Sequence, residues 1–303
     1  YSLNRVKNNE IALIYDQESC HTVSAYTNMM MLDYYRTSDL HRIGAPVDYY
    51  FHNDLEREDM PDYKLYIMMN LFRLTDAERE AVLQKARKNG AVVLWLYAPG
   101  FLNPDAEHIM DNANIENLIG MHVGRIDRTC SPRFKITDLG HPAVRYAVED
   151  RRYGYIDRDV HSNVWLENVL APAYMAPGFY IDDPGAHILG TYCELALPAY
   201  AIREMEGWTS VYCAPQILRS ELIASLAEYA GCHLYNTQDD IIYANANFVT
   251  IHASYKGQHT IRFKEPCSPY EVYENRYYGH NLTELTVEMR LGDTLMFSLK
   301  GPC

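Results

Sequence analysis

Leu65-Tyr66-Ile67-Met68-Met69, Thr75-Asp76-Ala77-Glu78 and Ala91-Val92-Val93-Leu94-Trp95-Leu96-Tyr97 follow one another in a single stretch. The two outer segments are apolar or aromatic at every position, as in strands of a parallel sheet covered on both faces. The middle segment is a capping box: the Thr75 hydroxyl accepts from a free backbone N–H while the Glu78 side chain reaches back. Its helix is expected to continue through Ala81, Val82 and Ala86 and to stop at Gly90. Strand, helix and strand in this order make a βαβ unit.

The alternation extends in both directions. Ile11-Ala12-Leu13-Ile14-Tyr15 reads as a strand, 24–43 as a helix stopped by Gly44-Ala45-Pro46, and Val47-Asp48-Tyr49-Tyr50-Phe51 as a second strand. A further helix is expected over 106–119. Between Gly120 and Pro184 the pattern loosens into an insertion beside the sheet, with a strand at 134–137, a short helix opening at His141 and a polar loop over 151–159. Strands are then expected at 186–189, 199–203 and 210–214. A helix over 216–229 carries Ile217, Leu218, Leu222, Ile223 and Leu226 on one stripe and closes at Gly231, before a strand Cys232-His233-Leu234-Tyr235. Near residue 240 the period changes to two. Phe248–Ala253, Thr260–Phe263, Tyr270–Tyr273, Leu285–Met289 and Thr294–Leu299 form a small antiparallel β domain. The expected organisation is one α/β domain over 1–240, interrupted by the insertion at about 120–184, and a β-sandwich-like domain over 241–303.

Composition narrows the function. The 303 residues are 48% hydrophobic and 22% charged, enough for a sizeable core. Lys plus Arg number 27 against 40 for Asp plus Glu, a net charge of -13. That balance argues against nucleic acid and anionic membrane surfaces as partners. No apolar run is long enough to cross a membrane. The 7 cysteines are scattered without a CxxC pair, and the histidines show no HxH or HxxxH pair, so neither a metal nor a bound cofactor is expected. No phosphate-cradling glycine motif occurs. The 26 tyrosines are the compositional outlier, and Tyr suits interfaces and sugar-facing surfaces. Tyr153-Gly154-Tyr155, Trp165 and Tyr277-Tyr278 are the candidates for stacking on sugars. The sequence begins at Tyr1 with no signal-peptide pattern, from which it is expected to be a piece of a longer chain.

Nucleophilic catalysis requires a nucleophile on a tight strand-to-helix turn. The turn Tyr97-Ala98-Pro99-Gly100-Phe101 holds neither Cys nor Ser. Cys193, in Gly190-Thr191-Tyr192-Cys193-Glu194, is the remaining candidate, with His187 or His233 as its base. Glycoside hydrolysis requires two carboxylates about 5 to 10 Å apart. Asp16, Asp54, Glu194 and Glu204 lie near expected strand ends, where α/β sites gather.

Leu94-Trp95-Leu96-Tyr97-Ala98-Pro99-Gly100 followed by Ile115-Glu116-Asn117-Leu118-Ile119-Gly120 resembles the trimerisation domain of family 42 β-galactosidases. Gly44-Ala45-Pro46-Val47-Asp48, Asp62–Ile67, Gly207–Tyr212 and Ala230–Tyr235 fit the same domain, and Gly292–Phe297 fits the small β domain that follows it. The resemblance covers about residues 10–300. It implies a flavodoxin-like, doubly wound, mostly parallel sheet related to class I glutamine amidotransferases but lacking their nucleophile. It also implies a place after a catalytic (β/α)8 barrel and a role in building a homo-oligomer, a trimer or a dimer. The barrel supplies the catalytic acid and nucleophile in that family, so no catalytic residue carries over. Two alternatives remain at this level: a stand-alone amidotransferase-like hydrolase using Cys193, and a carbohydrate-binding module using exposed tyrosines.

Overall fold

The computed structural model describes residues 8–24, 31, 35, 39–155 and 174–301. Strands β1 (Ile11–Tyr15), β2 (Val47–Phe51), β3 (Leu65–Met68) and β4 (Val92–Leu96) all lie in one eight-stranded sheet. β5 (Val123–Ile126), β6 (Phe134–Ile136) and β7 (Gly178–Ile181) follow, and β8 (His187–Tyr192), β9 (Pro198–Met205) and β10 (Trp208–Cys213) complete this half. The sheet order is β2-β1-β3-β4-β10-β9-β8-β6. The first five strands are mutually parallel, and β9, β8 and β6 are antiparallel additions. β5 and β7 pair with each other apart from that sheet.

The central strands are apolar because both faces are covered: every residue of β3 and β4 is buried. Two of the polar side chains carried into this core bond to each other and to the backbone, whereas the buried Tyr200 hydroxyl has no partner among the described residues. Trp95 Nε1 donates to Ser210 Oγ at 3.1 Å, and Ser210 Oγ donates to the Ile119 carbonyl at 2.6 Å. Helix α1 (Asp76–Arg87) begins at the expected box, with Glu78 N donating to Thr75 Oγ1 and Thr75 N to Glu78 Oε2. Helix α2 (Asn112–Ile119) starts later than 106, because Asp111 caps it by accepting from Ala113 N. Helix α3 (Ser220–Tyr229) starts later than 216, because Leu218 N donates to the buried Tyr35 hydroxyl instead of entering a helical turn. β2 and β3 are joined through a 3-10 turn, His52–Glu56, with no α-helix between them. The helix expected over 24–43 falls largely outside the described residues; Met31 and Tyr35 are helical within it, and Asp39–Arg42 form a 3-10 turn at its end.

The remaining strands are β11 (Ile241–Ala244), β12 (Phe248–His252), β13 (Gly257–Cys267), β14 (Tyr270–Glu271), β15 (Arg276–Tyr277), β16 (Leu282–Met289) and β17 (Thr294–Ser298). They make a five-stranded antiparallel sheet, β11-β12-β17-β14-β15, and a two-stranded sheet, β13-β16. Two hydrophobic cores result, one drawn from residues 11–234 and one from 235–297.

The segment 232–235 is not a strand, contrary to its apolar reading. It threads between the two cores, and its backbone bonds go to turns and one edge. His233 N donates to Glu10 Oε2, Tyr235 N to the Gly44 carbonyl, and Arg262 N to the Tyr235 carbonyl. Gly44 is required at this crossing: it has φ +80, and a Cβ there would meet the Asn236 carbonyl oxygen at 1.6 Å. Behind it lies a buried hydrogen bond, His259 Nδ1 to Asp240 Oδ2 at 2.7 Å, with both side chains fully buried.

Candidate functional site

In open α/β sheets, sites form at the carboxyl ends of the parallel strands, where the strand order reverses. Here β1 lies between β2 and β3, so the first polar residues after these three strands meet: Asp16, His52 and Asn70. Asp16 Oδ2 accepts from Ser19 N at 2.6 Å and Oδ1 from Glu18 N at 3.1 Å, turning the chain into the 3-10 turn Glu18–His21. His52 Nδ1 lies 2.8 Å from Asp16 Oδ1, and His52 Nε2 lies 3.1 Å from Glu78 Oε1. A neutral imidazole donates from only one nitrogen, so a ring facing two carboxylates is an imidazolium. Burial opposes that charge, but the Asp16 and Glu78 carboxylates outweigh it and raise the His52 pKa. Burial likewise opposes the charge on both acids. His52 and the Ser19 amide still hold Asp16 low, and Thr75 and His52 hold Glu78 low.

Beside this clamp, β4 ends at Tyr97, a non-glycine residue in the left-handed region at φ 63. Its ring is buried, its hydroxyl donates to the Pro177 carbonyl at 2.7 Å, and its carbonyl accepts from the Tyr212 hydroxyl at 2.5 Å. Phe72 and Phe179 pack edge-on to it, each with ring centroids 5.7 Å away. These rings and Phe101 line an apolar pocket of about 230 Å³. The following turn is fixed by Arg79, whose buried guanidinium donates to the carbonyls of Leu74, Gly100 and Asn114. The elbow is rigid and apolar and presents no nucleophile.

The sequence-derived candidates do not assemble around it. Cys193 is exposed in the β8–β9 turn, and burial of its sulfur raises the thiol pKa. The charges acting on it belong to Arg152, Lys135, Glu194 and Arg133, with no histidine among them. His187 begins the extended strand β8 and Cys193 follows its end, roughly 20 Å away at about 3.3 Å per residue. His187 instead pairs with Asp138 at 2.8 Å, and His233 Nε2 faces the Arg262 carbonyl. Glu194 is exposed. Glu204 accepts from the Thr209 and Tyr229 hydroxyls, and Asp54 caps its own turn and pairs with Arg57. Of the four carboxylates considered, only Asp16 joins the cluster at the strand ends.

The stacking candidates are also engaged. Tyr153 is buried, Arg133 lies over the Tyr155 ring, and Arg276 lies over the Tyr278 ring. Trp165 lies outside the described residues. Among the described residues no group of three or more His, Cys, Asp or Glu side chains is placed to hold a metal ion. No helix among them is long and apolar enough to cross a membrane.

No family model matches the sequence, and no curated protein matches it. Solved structures do. The chain matches a β-galactosidase from Bacillus circulans sp. alkalophilus at 12% identity and a TM-score of 0.64, over 98% of this chain and 42% of that one. The fold is one found in β-galactosidase chains. A cold-adapted β-galactosidase from Rahnella sp. R3 matches at 14% identity and a TM-score of 0.60, over 96% of this chain and 41% of that one. A catalytic mutant of a GH42 β-galactosidase from G. stearothermophilus matches at 11% identity and a TM-score of 0.58, over 97% and 40%. The chain with this β-galactosidase-like fold therefore spans about two fifths of the length of each matched protein.

Proposed function

We propose that this chain is a non-catalytic accessory region of a glycoside-hydrolase-like protein related to β-galactosidases, and that it acts by bringing subunits together. The observation that carries this reading is coverage: 98% of the chain matches a stretch of a β-galactosidase chain and uses only 42% of it. On this reading the parallel strands β2-β1-β3-β4-β10 are a flavodoxin-like doubly wound sheet, whose order 2-1-3-4-5 they reproduce. Residues 1–240 are the amidotransferase-like domain and 241–303 the small β-sandwich-like domain. The elbow after β4 supports a non-catalytic role, because the position where a hydrolase of this type carries its nucleophile holds the buried ring of Tyr97.

The surface for association is the β2 edge of the large sheet. Tyr49 and Phe51 are 45% and 43% exposed there, and the exposed Tyr243 of β11 packs its ring on His41. Aromatic side chains combine large contact area with low conformational entropy and are enriched in the cores of interfaces. The test is an aryl β-galactoside assay on the purified chain together with its mass in solution. The reading expects no hydrolysis and a mass above the monomer. Hydrolysis that persists through purification overturns it.

A further inference from the structure

The β domain leaves one strand edge open over a charged groove. Among the described residues β16 pairs only with β13, and the hairpin that joins β16 to β17 splays so that the two strands enter different sheets. Between them lies a groove of about 630 Å³, walled by Leu285–Met289 on one side and by Asp293–Leu295, Glu274, Arg276 and Tyr278 on the other.

The ladder shows which backbone groups face it. On β13, Arg262 N donates to the Tyr235 carbonyl and Thr260 N to Gln238 Oε1, and the Gln258 carbonyl accepts from the Tyr255 hydroxyl. Gln258, Thr260 and Arg262 thus turn their backbone away from β16. Their partners across the ladder are Glu288, Thr286 and Glu284. In an antiparallel pair, residues opposite such positions also turn outward. Glu284, Thr286 and Glu288 therefore offer N–H and C=O groups at a two-residue period on the open side of β16. That is the template an added strand requires.

Charge selects the occupant. The groove carries Glu274, Glu288 and Asp293 against one cation, Arg276. That cation is engaged: its Nε donates to Glu274 at 2.6 Å and its Nη2 to the Tyr278 hydroxyl at 2.8 Å. A second copy of β16 would set Glu284 and Glu288 against like charges. A sugar would stack on Tyr278, whose face lies under the Arg276 guanidinium, 4.5 Å from the centroid. We propose that the open edge of β16 accepts an extended polypeptide segment carrying Lys or Arg at alternate positions, which pairs with Thr286 and Glu288 as an added strand.

The test uses a fluorescently labelled Lys-Val-Lys-Val-Lys-Val peptide and its Glu-Val counterpart, read by anisotropy on the whole chain. The cationic peptide is expected to bind, and the acidic one is not. Thr286→Pro removes an N–H that the native ladder leaves unused, which an edge strand tolerates. It is expected to weaken binding at least about tenfold, whereas Thr286→Val, which keeps that N–H, leaves binding within about twofold. If Thr286→Pro does not fold, amide exchange on the unaltered chain decides, with slowing of the Thr286 and Glu288 amides on peptide addition as the expected result. No binding at about 1 mM peptide, equal binding by Thr286→Pro, or unchanged exchange at both amides overturns the proposal, as does equal displacement by a polyamine, which carries charge without a strand. Binding of a galactoside at Arg276 and Tyr278 that excludes the peptide would replace it with a sugar site.

Discussion

Asp16 and Asn70 bond each other in both directions: the Asp16 amide donates to Asn70 Oδ1 at 2.8 Å, and Asn70 Nδ2 donates to the Asp16 carbonyl at 2.9 Å. One buried side chain thus satisfies the backbone of the neighbouring strand end and joins β1 to β3 where the sheet changes direction. Asn70→Leu removes both bonds, leaving the buried Asp16 N–H without a partner and its carbonyl with only the weak Cys20 Sγ donor at 3.5 Å. The expected loss is about 2 to 4 kcal/mol, read as a lower urea midpoint at unchanged m.

The His52 clamp gives stability a defined pH dependence. His52 has a raised pKa, so its contribution is complete below the model-compound value of 6.5 and fades as pH rises through the folded value. Asp16 and Glu78 have lowered values, so theirs is complete above about 4.5 and fades as pH falls through the folded values. The clamp therefore contributes most between about pH 4.5 and 6.5. Comparing urea midpoints of the native chain and His52→Gln across pH 4 to 9 is expected to show the largest gap in that window. A gap independent of pH would mean that the ring is not held as an imidazolium.

Gly44→Ala tests the seam between the two cores. The substitution puts a Cβ at φ +80 against the Asn236 carbonyl and disturbs the Tyr235-to-Gly44 hydrogen bond. A loss of at least about 2 kcal/mol is expected, from left-handed strain and overpacking together. Gly231→Ala is the control: it shares a positive φ but has nothing within 4 Å of the added carbon, so only the strain of roughly 1 kcal/mol remains.

Cys193 is expected to behave as an ordinary thiol. Its pKa is raised, chiefly by burial, and no imidazole acts on it. Iodoacetamide at pH 7 should alkylate it no faster than a free cysteine does. Labelling about a hundredfold faster would reveal a thiolate and return the hydrolase reading to consideration.

The strands and their order of appearance were legible because burial on both faces leaves unbroken apolar runs, as in Leu65–Met68 and Val92–Leu96. The Thr75–Glu78 box was legible because both partners lie within one helical turn. The site was less so. Asp16 stood out as the polar end of a strand, but His52 only opens a polar stretch after β2 and Asn70 is a single polar residue after β3, and only the placing of β1 between β2 and β3 brings the three together. The Cys232–Tyr235 run misled because Leu234 and Tyr235 are buried by a crossing between two cores, a burial that needs no ladder. Cys193 and His187 are near in sequence, yet an extended strand between them keeps them apart.

Tyr49 and Phe51 carry the association reading to a specific surface. Replacing both by Asp puts two charges on a half-exposed aromatic edge and removes the Phe51 ring contact with Tyr15, whose centroid lies 4.7 Å away. Folding stability is expected to fall by about 1 to 3 kcal/mol, leaving the chain folded, while self-association weakens at least about tenfold. Equal association in the double variant would move the interface elsewhere on the chain.

Sedimentation equilibrium of the unaltered chain from about 1 to 200 μM tests the proposed role most directly, a span covering ordinary subunit affinities. A mass that rises to a dimer or a trimer, and falls back in the Tyr49→Asp, Phe51→Asp variant, is the predicted result. A monomer throughout that range would contradict an association role for this chain.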